Sequence, residues 1–253
     1  MDIFVYIIGG FFAGIATGLV GLSAAVIIAP LFATVLGMDT YVAIGIALAS
    51  DIFASSTSAF NYIRYKNVDL KRASYLAIMV IVFTIIGSIV SKDMNPYNMN
   101  SVLNIFVVVL GIRFFVYPVK DNPQNKLIKP GKFIIGQAIF WGIIIGLISG
   151  YFGSGGGLSM LAVLTMLLGF GLREAVGTSV TIMTVTAFVG AVTHILIIPT
   201  EWLPLIFASV AAFVGANLAS IFANKVNEII LNRVIGGFLM IYGSILVLLF
   251  YTS

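Results

Sequence analysis

Long apolar stretches separated by short polar joints run the length of the chain. They lie at roughly 3–22, 41–63, 73–91, 101–118, 133–152, 173–198, 202–223 and 231–251, and each can cross a hydrocarbon layer, which takes about 20 residues of helix. Two further stretches, 24–37 and 156–170, are shorter. A helix of about 14 residues rises only about 21 Å against a core of about 30 Å. These two are therefore predicted to be half-helices, tilted partners or re-entrant pieces, and the predicted fold is an all-α polytopic membrane protein.

The pattern occurs twice. Gly14, Gly18 and Gly21 fall on Gly146, Gly150 and Gly153 at a constant separation of 132 residues, and the register continues without a gap. Leu36-Gly37 meets Leu168-Gly169, Ala43 and Gly45 meet Ala175 and Gly177, Asn95 and Asn100 meet Asn227 and Asn232, and Gly111 meets Gly243. Shared hydrophobicity explains matched Leu or Ile, but not aligned glycines and asparagines. The least apolar stretch, from Lys120 to Lys132, carries Pro123, Pro130, Gly131 and four lysines. It reads as a cytoplasmic linker, 120–132, between a first membrane repeat, 1–119, and a second, 133–253.

Cytoplasmic loops hold the excess of Lys and Arg, and two topologies divide the basic residues differently. If both short segments cross, each repeat has five crossings and the copies are inverted. Twelve of the thirteen Lys and Arg residues are then cytoplasmic and only Lys92 is outside. If the short segments merely dip and return, the repeats are parallel and Arg173, Lys225 and Arg233 join Lys92 outside, nine against four. Charge favours the inverted arrangement, with both termini outside.

Composition agrees. Sixty per cent of residues are hydrophobic and nine per cent are charged, a balance that cannot furnish a water-soluble surface. The net charge of +4 comes from residues in the joints, so it reports topology and not nucleic-acid binding. With no cysteine, thiolate metal sites, Fe–S clusters and thiol redox chemistry are excluded, and no cofactor is implied. Met1-Asp2-Ile3 lacks the basic start of a secretory signal, so the first apolar run is expected to remain as a membrane segment of the cytoplasmic membrane.

Each repeat opens with glycines every three to four residues, a spacing that lets helices approach closely. The second copy then reads Gly153-Ser154-Gly155-Gly156-Gly157 before its short segment. Four glycines in five residues do not sustain a helix, since each costs about 1 kcal/mol relative to alanine. A break at membrane depth frees backbone N–H groups that must face protein or a polar cavity. The following helix N-terminus, with its partial positive charge and unpaired donors, suits an anion. On that reading 153–157, with the Ser154 hydroxyl, is one half of an anion site; a packing-driven kink without ligand is the alternative. The first copy reads Gly21-Leu22-Ser23-Ala24-Ala25, so Ser23 still offers a donor but the backbone is less free.

Polar side chains inside the apolar runs are further candidates. Asp51 lies at the middle of the 41–63 run. A carboxyl at that depth is either protonated or paired, so it serves proton or cation coupling, or is a neutral acid hydrogen-bonded to a neighbouring helix. His194, the single histidine, is a pH-responsive gate or substrate donor, or a packing residue; alone it anchors no typical zinc site. Its partner in the register is Tyr62, and nearby Arg64 either steers an anion at the cytoplasmic mouth or simply marks topology. Thr178, Ser179 and Thr181 line a pore or bond their own helix.

The run GLISGYFGSGGGLSMLAVLTMLLGFGLREAVGTS at 146–179 resembles the signature of the sulfite exporter TauE/SafE family. Ala175, Val176, Gly177, Thr178 and Ser179 match the family's AVGTS-like helix opening, and Asn67-Val68-Asp69 its NVD-type loop. GLVGLSAAVIIAPLF at 18–32 and IALASDIFASS at 46–56 resemble the family's first copy, in which some members carry an acid at the place of Asp51. The likeness covers nearly the whole chain. It implies uptake or export of small sulfur-containing anions such as sulfite, thiosulfate, sulfonates or sulfoacetate. Two other classes compete. An intramembrane serine protease would use Ser154 as nucleophile and His194 as base, though a dyad needs no duplication. An anion channel would be told apart by flux that neither saturates nor couples to protons.

Overall fold

The computed structural model describes residues 2–90, 109, 112–119, 132–152, 156–197 and 201–252, and every regular element among them is a helix. The first half contains α1 (Asp2–Val20), α2 (Ala25–Val35), α3 (Thr40–Arg64) and α4 (Ser74–Val90). The second contains α5 (Lys132–Phe152), α6 (Gly157–Met166), α7 (Leu172–Ile197), α8 (Trp202–Lys225) and α9 (Glu228–Thr252). Residues 120–131 of the expected linker, and most of the 101–118 run, lie outside the described residues. Asp2–Val20, Val42–Arg64, Phe133–Gly150, Leu172–Thr193 and Trp202–Lys225 are long and apolar enough to cross a membrane. The two short helices, of 11 and 10 residues, rise about 16 and 15 Å, half a hydrocarbon core.

Helices suit lipid because they satisfy their backbone internally. Large side chains such as Phe4, Phe12, Phe60, Phe188 and Phe213 point outward, while small residues carry the helix contacts. A Cβ added to Gly10, Gly14 or Gly18 of α1 would lie 2.4, 2.1 or 2.6 Å from the carbonyl oxygens of Ala208, Ala212 and Ala216 of α8. Along α5, a Cβ on Gly146 or Gly150 would lie 2.7 or 2.1 Å from the carbonyls of Val80 and Thr84 of α4. Shifting each of these α1 glycines by 132 residues, and its α8 partner back by 132, gives the residues in contact between α5 and α4. The stripes thus serve close helix packing. α3 and α7 pack against each other between these pairs.

α2 folds back along α1: Tyr6 meets Phe32 edge-on with ring centroids 5.2 Å apart, and Gly9 abuts Leu31. Left-handed Gly37 and Gly169, at φ 63° and 64°, turn the chain after each short helix, where residues with a Cβ rarely fit.

One end of the bundle collects the basic loops. The Arg72 guanidinium donates to the Leu168 carbonyl at 2.8 Å, pairs with the Glu174 carboxylate at 3.7 Å and covers the Phe170 ring. Arg173 donates to the carbonyls of Ala223 and Val226, the Asn67 amide to Asn224, and Val119 exchanges two hydrogen bonds with Asn232. Arg72, Arg173 and the turn after Lys225 therefore share one end, which the parallel scheme would have divided.

Candidate functional site

Both helix breaks come to the centre. The ideal Cβ position on Gly157, the first residue of α6, lies 1.8 Å from the Gly21 carbonyl oxygen. Gly21 itself has φ 71°, and a Cβ there would lie 2.6 Å from the Ser179 hydroxyl of α7. Two chain reversals are thus pressed backbone to backbone, and only glycine allows the approach.

At the first junction every early donor of α2 has a partner. The fully buried Asp51 carboxyl accepts from the Ser23 hydroxyl at 2.6 Å and from the Ala24 N–H at 2.9 Å. The same Ser23 oxygen accepts from the Ala25 N–H at 3.3 Å, and the Ser23 carbonyl accepts from the Val26 N–H at 3.1 Å. Thr17, one turn before the break, donates to the Leu22 carbonyl at 2.8 Å. Tyr242 of α9 holds the first turn of α2 by donating to the Val26 carbonyl at 2.8 Å. Asp51 therefore caps α2 from a neighbouring helix, its negative charge facing the positive end of the α2 dipole.

The second junction is finished otherwise. Gly153, Ser154 and Gly155 lie outside the described residues. Gly156, the N-cap of α6, is left-handed at φ 62°, and α6 has no side-chain cap; the matching Ala24 is right-handed at φ −57°. A Cβ on Gly156 would meet Ile145 at 2.7 Å and the Ser149 Cβ at 3.3 Å, so that face is packed on α5. Met183 holds the place in the register that Asp51 holds in the first half, and its sulfur lies 2.9 Å from the Cβ position of Gly157. Ser149 is 2 % exposed, and its hydroxyl has no hydrogen-bond partner among the described residues.

The other predicted residues divide. Ser23, Asp51, Ser179, Gly156 and Gly157 gather around the facing breaks. Tyr62 is buried below them and donates to the Gly18 carbonyl at 3.0 Å. Thr178 belongs to the basic end, where its hydroxyl accepts from the Asp69 N–H at 3.0 Å, and Gly177 packs on the Asn67 carbonyl. The NVD-type loop thus docks on the AVGTS-like helix opening. Thr181 bonds its own helix at the Gly177 carbonyl. Arg64 is exposed at the end of α3 and lines a groove with Ser56, Asn61, Phe213 and Asn217. His194 lies within α7, but its side chain is outside the described residues. Among the described residues no three His, Asp or Glu side chains come together as a metal would need.

Sequence reasoning passed over Ser149, Met183 and Tyr242. The register held the signal for two of them: Ser149 falls on Thr17, hydroxyl on hydroxyl, and Met183 falls on Asp51, so one half has lost, or never had, the acid.

The comparisons with known proteins agree with this architecture. The profile described as sulfite exporter TauE/SafE matches residues 6–246. The chain is similar to the probable membrane transporter protein YunE of Bacillus subtilis, 27 % identical over 246 residues, covering 89 % of this chain and 90 % of the relative. It is also similar to the probable membrane transporter protein YdhB of the same organism, 24 % identical over 229 residues and covering 89 % and 92 %. A probable membrane transporter protein of Methanocaldococcus jannaschii is 27 % identical over 195 residues, covering 75 % and 71 %. No solved structure matches. With a helical bundle built for lipid, and a profile match from its first helix to its last, the chain is a multi-pass membrane protein belonging to the sulfite exporter TauE/SafE family of transporters.

Proposed function

We propose that the protein carries a small anion, a sulfur oxyanion or organosulfonate of the sulfite, thiosulfate or sulfoacetate kind, across the cytoplasmic membrane by alternating access. The anion sits at the N-terminus of α6. The observation that carries this is the difference between two matching helix ends: α2 is capped by the Asp51 carboxylate, whereas α6 has no side-chain cap. Beside it stands the unpartnered, buried Ser149 hydroxyl. Free N–H donors and a positive dipole end in a dry site favour an anion, and broken helices near mid-membrane are where transporters bind their cargo.

The halves 1–119 and 133–253 act as inverted repeats joined by 120–132. The gathering of Arg72, Arg173 and the Lys225 turn at one end supports this, and that end is cytoplasmic by its basic charge. Substrate contact includes Gly153 to Gly157, Ser154 and Ser179, with His194 and Arg64 toward the two mouths. Asp51 is the coupling group, alternately holding and releasing a proton.

A binding screen tests the substrate. Purified protein titrated with sulfite, thiosulfate, sulfate, organosulfonates and carboxylates should be stabilised by members of the sulfur group and not by cations; stabilisation by none of the anions would overturn the reading. Ser154→Ala should retain part of the flux, because the site is mostly backbone, whereas a serine protease would lose all activity. Transport by the wild type should vary with pH and that of Asp51→Asn should not; equal pH profiles would remove Asp51 from coupling. Single cysteines at Thr200 and Ser253 should label from outside and one at Asn125 from inside, and inside labelling of the first two would restore parallel repeats.

A further inference from the structure

The first junction holds an anion already. Its two donors, the Ser23 hydroxyl and the Ala24 N–H, meet the two Asp51 oxygens at 2.6 and 2.9 Å, with all three residues fully buried. Both carboxyl oxygens accept, so the arrangement is that of a bound carboxylate that happens to be tethered to α3 by a single methylene. A donor pair that binds an anion through a backbone N–H and a serine hydroxyl at a helix N-terminus does not depend on the tether.

We propose that the N-terminus of α2 is a second anion seat, the counterpart of the one at α6, and that Asp51 permanently fills it. Replacing the carboxylate by a smaller neutral group opens the seat to a free anion of formate size. This rests on the transport reading in one respect: it explains why the protein takes substrate at one junction when its chain contains two. Asp51 is then the residue that makes the site single, and Met183 at the matching place is what leaves the other junction open.

Three features support the assignment. The seat has a built frame, since Thr17 fixes the Leu22 carbonyl before it and Tyr242 fixes the Val26 carbonyl after it. Ser23 is oriented, because its oxygen accepts from the Ala25 N–H while its proton goes to Asp51. The seat is also close to the other junction, because Gly21 of its own reversal touches Gly157 of α6. Two free anions there would repel each other across a dry interior, whereas a fixed carboxylate commits the charge in advance.

The experiment is rescue of Asp51→Ala by formate, read as thermal unfolding of the full chain in detergent, with chloride at equal ionic strength as control. Asp51→Ala should unfold at a lower temperature than wild type. Formate should raise its midpoint by about 2–4 °C once its concentration exceeds Kd about fivefold. Wild type should not respond to formate, since its seat is full. Asp51→Ala combined with Ser23→Ala, lacking one donor, should need at least about tenfold more formate. If Asp51→Ala folds only when formate is present throughout preparation, that is rescue and supports the proposal. If formate and chloride act alike on the folded variant, or the variant stays unfolded in both, the proposal falls. Sulfite titration of wild type is the parallel arm: no sulfite binding there with formate rescue intact removes the transport reading and leaves the seat, while sulfite binding without rescue does the reverse.

Discussion

At the first junction a carboxylate sits on the helix N-terminus, and the backbone leading to it is right-handed alanine. At the second, 132 residues on, the carboxylate's place is a buried methionine and the backbone is left-handed glycine. Helices of similar length, 11 and 10 residues, follow both. The difference shows how a duplicated scaffold becomes functionally single: the helix packing that positions the two breaks recurs, while two or three side chains decide which break is internally satisfied. The cost of an unsatisfied helix end is tolerated where a ligand repays it.

The comparison breaks most severely at Gly157. An alanine there would place its Cβ 1.8 Å from the Gly21 carbonyl oxygen, and since backbone must move, Gly157→Ala should cost at least about 3 kcal/mol. The matching Ala25→Gly removes a methyl at a helix start and should cost about 1 kcal/mol. Thermal unfolding and the yield of folded protein check both, and equal costs would mean that the two breaks are not pressed together. Met183→Asp sharpens the contrast instead. It gives the second junction the acid of the first, which should cap α6 and displace the substrate anion, weakening binding about a hundredfold or more if two charge-assisted hydrogen bonds are lost. Unchanged anion affinity in a folded Met183→Asp would place the substrate elsewhere.

Asp51→Asn keeps the shape of the first junction and removes its charge. The expected loss is about 1–3 kcal/mol of stability, measured by unfolding in detergent, and a neutral effect would deny that the cap is ionic. The smallest change is at Tyr62, whose hydroxyl serves the Gly18 carbonyl in the last turn of α1. Tyr62→Phe should cost about 1 kcal/mol and leave anion affinity at wild-type level; a selective loss of affinity would make Tyr62 a substrate contact.

The sequence by itself determined the solvent, the element type and the places where the chain must break. Runs near the length of a hydrocarbon core admit only structures that close their own hydrogen bonds, and glycines at 21, 37, 156 and 169 mark turns that the backbone makes at positive φ. The spaced glycines of α1 and α5 announced close helix contacts, but not with whom. Tertiary structure alone decided that α1 packs on α8 and α5 on α4, because a Gly stripe fits any neighbour with small residues. It also decided that Asp51 reaches Ser23 and Ala24, 28 and 27 residues away, and that Thr178 turns to the Asp69 N–H at the basic end while Ser179, one residue on, faces Gly21. Periodicity assigns a residue to a helix and a face. Which buried donor a side chain finds depends on how the helices are rotated and how deep they sit, and those are set by the whole bundle at once.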